Sequence, residues 1–182
     1  GDKNAADNYS VGVLKSTNGG QTWNETALSF NIGEMSLIYR LLKDPNDNLT
    51  ILAATSEGLY KTIDGGDSWD QELSSYAFVD LESKPNDFNT IYGSTALGEI
   101  YTSTDGGETW NLSLDTYGYR TEMAVSAQQP NWVYAVIIDN QNGLLGIYKS
   151  TDSGANFSLI YNDKNLLHWG SDGVGSGGQA YY

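Results

Sequence analysis

A short phrase recurs four times in this chain: Ser or Thr, one residue, Asp or Asn, a glycine-bearing pair, two residues and an aromatic ring. The copies are Ser16-Thr17-Asn18-Gly19-Gly20-Gln21-Thr22-Trp23, Thr62-Ile63-Asp64-Gly65-Gly66-Asp67-Ser68-Trp69, Ser103-Thr104-Asp105-Gly106-Gly107-Glu108-Thr109-Trp110 and Ser150-Thr151-Asp152-Ser153-Gly154-Ala155-Asn156-Phe157. Their aromatic residues are spaced 46 (23 to 69), 41 (69 to 110) and 47 (110 to 157) positions apart. Self-similarity at that period restricts the chain to repeat architectures, propellers foremost.

Other features fall into register with the phrase. An apolar pair precedes each copy: Val13-Leu14, Leu59-Tyr60, Ile100-Tyr101 and Ile147-Tyr148. Further upstream, strand-like segments end near a proline at Ile38–Pro45, Phe78–Pro85 and Met123–Pro130; an asparagine and a second apolar run follow, at 49–54, 90–92 and 132–138. The unit therefore reads strand, Pro/Asn turn, strand, short glycine-bearing turn, strand, Asp turn, and a fourth strand starting at the aromatic residue. Four short antiparallel strands at this spacing make one propeller blade. No window sustains a helical apolar period, and the 21 Gly, 13 Tyr and 5 Trp suit turns and pleated surfaces. The expected fold class is all-β, a β-propeller of four-stranded antiparallel blades.

The phrase makes physical sense as a hairpin device. An Asp or Asn side chain accepts hydrogen bonds from backbone amides two or more residues on, and the following glycine supplies positive φ without a Cβ clash. The aromatic ring then returns to pack on the sheet. This makes Ser16, Asn18, Gly20, Trp23, Thr62, Asp64, Gly66, Trp69, Ser103, Asp105, Gly107, Trp110, Ser150, Asp152, Gly154 and Phe157 structural residues. The phrase resembles the Asp-box, or bacterial neuraminidase repeat, and its surroundings resemble the blades of Asp-box β-propellers. Asn18 stands where that pattern has Asp, and Ser153 and Phe157 where it has Gly and Trp, substitutions that keep the turn chemistry. The wording is most similar to large secreted bacterial Asp-box proteins, a resemblance that implies fold, secretion and a cell-surface or extracellular setting more than a reaction.

Used as a ruler, the phrase marks complete units at 24–69, 70–110 and 111–157, with blade remnants at 1–23 and 158–182. Propellers close with four to eight blades, so the expectation is one propeller segment, an incomplete arc of a larger ring and a piece of a longer chain. Such an arc exposes two apolar blade faces and should be poorly soluble when expressed alone.

The formal net charge of −14, with 9 Lys and Arg in all, argues against a nucleic-acid backbone or an anionic membrane surface as partner. There is no transmembrane-length apolar run, so membrane insertion is not expected. Cysteine is absent, which removes disulfides and thiolate metal sites. Asn-x-Ser/Thr triplets at Asn8, Asn24, Asn48, Asn111 and Asn156 follow from Asn-rich turns.

A sialidase-like site needs three arginines to clamp a carboxylate, and the chain has two, Arg40 and Arg120. Arg40 and Asp80 both lie five residues before their register proline, so consecutive inner strands should bring them together, with Arg120 and Glu122 opening the next inner strand. Such a polar cluster is either an inter-blade salt bridge or a site at the channel mouth. Asp80 and Glu122 are the candidate catalytic carboxylates for a carboxylate-pair hydrolase. Arg40, Arg120, His168 and Trp169 are the candidate binding residues, the last two as a sugar-stacking and hydrogen-bonding pair. No cofactor and no metal site is expected; calcium oxygen ligands exist at Asp44-Pro45-Asn46-Asp47-Asn48, but that segment lacks the EF-hand glycine and terminal Glu.

Together these features favour a secreted, non-catalytic binding or scaffolding propeller that recognises glycan or protein, its partners including the remaining blades of its own chain. The alternatives are a glycoside hydrolase, sialidase-like or xyloglucanase-like, with catalytic residues partly outside the segment, and an assembly or sorting receptor.

Overall fold

The computed structural model describes residues 10–74, 76–168, 170, 173–174 and 178. They contain fourteen strands and a single turn of 3-10 helix, Ile32–Glu34. Strands β1 (Gly12–Lys15) and β2 (Asn24–Ser29) form a two-stranded sheet. Three four-stranded antiparallel sheets follow in chain order: β3 (Ile38–Lys43), β4 (Ile51–Thr55), β5 (Gly58–Thr62) and β6 (Asp70–Leu73); β7 (Phe78–Lys84), β8 (Asp87–Thr95), β9 (Glu99–Ser103) and β10 (Asn111–Asp115); and β11 (Arg120–Val125), β12 (Val133–Ile138), β13 (Leu144–Ser150) and β14 (Ser158–Tyr161). This is a run of propeller blades, each an up-and-down meander, as the repeat implies. The sheets begin one strand later than the aromatic-to-aromatic units, because the strand after each aromatic residue stays paired with the strand before it.

Apolar side chains are buried between sheets. Leu52, Ala54 and Leu59 of the first complete blade pack with Phe78, Leu81 and Ile91 of the second. Tyr92 and Ile100 of the second pack with Met123, Val133, Ala135 and Ile137 of the third. Val13 and Leu28 of the two-stranded sheet meet Ala53. The second strand of the first and of the second complete blade is thus sandwiched on both sides, which is why β4 and β8 read as nearly continuous apolar or small-residue runs rather than alternating ones.

Each Asp phrase closes the hairpin between the third and fourth strands with the same network. In the third copy the Ser103 hydroxyl donates to Asp105 (2.8 Å) and accepts from the Gly107 amide (2.8 Å), while Asp105 accepts from the Thr109 amide (2.9 Å) and hydroxyl (2.6 Å). Asn18 reproduces it with Thr22, its amide nitrogen donating where a carboxylate would accept. Ser153 occupies a left-handed φ of 58°, where the other copies have glycine. Gly107 sits at φ 90°, and a Cβ there would lie 3.0 Å from the Leu52 side chain of the preceding blade; at Gly154 it would lie 2.7 Å from Thr102 and Tyr92. The second glycine is therefore required twice over, for the turn and for the close approach of the neighbouring blade.

These carboxylates should make the fold acid-sensitive. Hydrogen bonds from the Thr109 hydroxyl, the Thr109 amide and the Ser103 hydroxyl hold Asp105 down to about 2 from the usual 3.8, and Asp64 and Asp152 are lowered in the same way. A carboxylate whose folded pKa is depressed contributes stability that is complete above its unfolded pKa and lost as pH falls through the folded one. Thermal unfolding followed from pH 4 downward should show stability falling between 3.8 and about 2, and Asp105→Asn should flatten that slope. An unaltered slope in the variant would show that Asp105 does not carry it.

Candidate functional site

The two ends of the sheets differ. At one end the Asp turns lie against the turns joining first and second strands, through amide-to-carbonyl bonds from Gly65 to Leu49 (2.9 Å), Gly106 to Asn89 (2.8 Å) and Ser153 to Asn131 (2.9 Å). At the opposite end lie the turns between second and third strands and the connections between blades. Arg40 pairs in register with Ala54, Asp80 with Ser94 and Glu122 with Val136. Those partners fill matching repeat positions near that second end, so Arg40, Asp80 and Glu122 form one column across three successive inner strands.

The column is knitted across blade boundaries. Arg40 Nη2 donates to Glu82 Oε1 at 2.6 Å, and its Nε lies 3.7 Å from Asp80 Oδ1. Asp80 is buried, and its Oδ2 accepts the Met123 amide of the third blade at 2.9 Å. Arg120 clasps Glu122 through Nη2 (2.6 Å) and Nε (2.8 Å). The structure thus brings Arg40 and Asp80 together and gives Asp80 a bracket role between blades. Glu82, which the sequence did not single out, is more open to solvent than Asp80. Burial pushes its carboxyl above the usual range, Arg40 opposes this, and Asp80 and Glu122 add to it. Its signal was its place two residues after Asp80 on the same strand face.

Tyrosines surround this end and were also missed. Tyr117 (92% exposed) and Tyr119 lie in the connection between β10 and β11, and Tyr76 in that between β6 and β7. Burial pushes the Tyr39 hydroxyl up, Tyr119 adding to the shift and Arg120 opposing it, so these three groups share one neighbourhood. The available signal was a gathering of tyrosines in the segments that lack strand alternation.

His168 accepts the Gly170 amide on Nδ1 at 3.0 Å, and its own amide donates to the Asn165 carbonyl. Asn165 Oδ1 accepts the Leu144 amide, tying this segment to the β12–β13 turn. Trp169 lies outside the described residues. Among the described residues no group of three or more His, Cys, Asp or Glu is placed to hold a metal ion. In the Asp44–Asn48 turn, Asp44 accepts the Asn46 amide and Asp47 the Leu49 amide and Thr50 hydroxyl, with Lys43 bonded to Asn48. No helix of the described residues is long and apolar enough to cross a membrane.

Comparison with known proteins accords with the repeat and the fold. The family model for the BNR/Asp-box repeat matches residues 101–112, so the recurring phrase is an Asp-box. A xyloglucanase from Paenibacillus sp is 28% identical over 163 residues, covering 86% of this chain and 14% of its own length. A xyloglucanase from Acetivibrio thermocellus is 29% identical over 160 residues, covering 81% and 16%. The crystal structure of an ancestral GH74 enzyme superposes with a TM-score of 0.68 at 23% identity, covering 85% of this chain and 22% of that one. The chain therefore spans about a seventh of the length of the curated relatives it matches. The expectation of a non-catalytic binding or scaffolding propeller is overturned here: the proteins matched along most of the chain are enzymes by name, and they favour the hydrolase alternative. The turn chemistry of the Asp phrase could not reveal this, because it builds the scaffold whatever the blades carry.

Proposed function

Starting from an Asp-box β-propeller matched by xyloglucanases, we propose that this chain is part of a secreted glycoside hydrolase acting on xyloglucan-type polysaccharide, its catalytic carboxylates lying partly outside the segment. The observation that carries this is the similarity to two xyloglucanases over 81–86% of the chain. Residues 24–69, 70–110 and 111–157 are three sequence repeats of one propeller, and 1–23 and 158–182 are remnants of the repeats on either side, with Ser158–Tyr161 closing the third complete sheet. The polysaccharide runs over the sheet end opposite the Asp turns. There Glu82, Arg120 and Glu122 supply charged hydrogen-bonding groups, and Tyr117 and Tyr119 supply ring faces on which sugars stack. Asp80, closed in by Met123 and Arg40, holds the blades in position. Partners are the polysaccharide and the remaining blades, and the setting is extracellular, because a polymer of this size is met outside the cell.

The test is release of reducing ends from xyloglucan by the full-length protein. Glu122→Gln should lower kcat/KM roughly tenfold, as expected for loss of about 1.4 kcal/mol from one hydrogen bond to a charged group. Glu122 is exposed and its hydrogen-bonding partner is Arg120, so the melting temperature should hold. A folded protein that releases nothing overturns the hydrolase reading, and release insensitive to both Glu122→Gln and Tyr119→Ala overturns this placement of the polysaccharide.

A further inference from the structure

A second pattern, independent of the hydrolase reading, links each blade to the Asp turn of the blade after it. Lys15, at the end of β1, has its Nζ 3.9 Å from Asp67, the residue directly after the glycine pair of the next phrase. Lys61, at the equivalent place on β5 and buried, pairs with Glu108, again the residue after the next glycine pair. On β9 the equivalent residue is Thr102, and its hydroxyl donates to the Gly154 carbonyl of the next turn at 3.1 Å. There the residue after the pair is Ala155. Lysine thus faces an acid, and threonine faces a turn without one.

The third complete blade presents Lys149 at this place. Its Nζ lies 3.2 Å from the centroid of the Trp132 ring and 5.2 Å from that of Tyr134. The sheet face around it differs from its counterparts. Leu52, Ala54, Leu59 and Lys61 on the first complete blade, and Tyr92, Ser94, Ile100 and Thr102 on the second, are at most 6% exposed. Tyr134, Val136, Ile147 and Lys149 fill the same four positions on the third and are only half-buried. In the first two blades this face is covered by the following sheet.

We propose that this face of the third blade seats a further four-stranded blade whose Asp phrase carries Asp or Glu immediately after its glycine pair, with that carboxylate taking Lys149. Charge complementarity selects the occupant. A second copy docked through its first phrase would offer Gln21 at that position, and a neutral amide leaves the ammonium without its counter-charge in a partly desolvated interface. The apolar positions supply the area, and the lysine supplies the register, because a blade displaced along the sheet would strand the charge.

Zero-length carbodiimide coupling of amines to carboxylates in the full-length protein, followed by peptide mass spectrometry, tests this directly. Lys61–Glu108 and Lys15–Asp67 serve as internal references. The expected product joins Lys149 to an Asp or Glu that follows a glycine pair in another Asp phrase of the same chain. Coupling of Lys149 to a carboxylate elsewhere overturns the proposal, as does coupling seen only between isotopically mixed copies. So does its absence where Lys61–Glu108 forms. Hydroxyl-radical labelling supplies a second readout: Tyr134 should react as slowly as buried Tyr92, and reaction as fast as that of Tyr117 overturns the proposal whatever the coupling result.

Discussion

Phe78→Ala is expected to cost about 3–5 kcal/mol of folding stability, the range for deleting a buried aromatic side chain and leaving a cavity. Phe78 is 1% exposed and packs with Leu52, Ala54, Leu59, Leu81 and Ile91 at the junction of the first two complete blades. Its ring lies against Gly93, where a Cβ would sit 3.0 Å away, and 5.7 Å from the ring of Tyr101. Because glycine provides the floor beneath the ring, no side chain at that position can swing in to fill the space. In a chain of this size the melting temperature should fall roughly 6–20 °C, at about 2–4 °C per kcal/mol. Circular dichroism melts would show it, with Tyr117→Ala, at an exposed tyrosine, as the matched control that leaves the midpoint in place. Equal midpoints for the two variants would mean that the blade junction does not carry the stability assigned to it.

Asp80→Ala is expected to be nearly as damaging, by about 3 kcal/mol, since it orphans a buried amide and removes a charged acceptor together. The Met123 amide loses its acceptor inside the junction of the second and third complete blades, and Arg40 loses one of its two carboxylates. The Arg40 contribution is the smaller part, because its side chain is half exposed and such pairs are screened. Asp80→Asn should recover more than half of the loss, because one side-chain oxygen can still accept from Met123. The measurement is chemical denaturation of the three proteins; an alanine variant as stable as the parent would remove the bracket role. Activity lost in Asp80→Ala is therefore to be read beside its stability, whereas Glu122, exposed and bonded to Arg120, gives the cleaner test of the proposed placement of the polysaccharide.

The parts legible in the sequence were those whose physical causes are local. The Asp phrase closes within its own few residues through side-chain bonds to its own backbone, so its four copies display the hairpins and their period without reference to anything distant. Arg40 and Asp80 could also be matched, because counting back from Pro45 and Pro85 places them at one repeat position. Glu82 escaped although it stands two residues after Asp80 on one strand face, because that spacing alone does not tell a pairing carboxylate from a solvated one, and Tyr39 because nothing in its own segment marks its neighbours. The lysine–acid pairs escaped for a related reason. Lys61 and Glu108 are 47 residues apart, and each alone looks like an ordinary solvated charge. The function was misjudged on the same ground, since the scaffold is legible locally and the surface that acts on a ligand is not.

By itself the sequence determined that this protein is all-β, that it is built of four-stranded repeats, and that the third position of each phrase, filled by Asn18, Asp64, Asp105 and Asp152, closes the outer hairpin. Those features rest on hydrogen bonds and turn geometry spanning a few residues. Only the tertiary structure decided that Gly66, Gly107 and Gly154 are also docking surfaces, that Asp80 spans a blade boundary, and that the third complete blade holds Lys149 on a half-open face. Each of these depends on which sheet lies against which, and burial by a neighbour far along the chain leaves no mark on the local pattern.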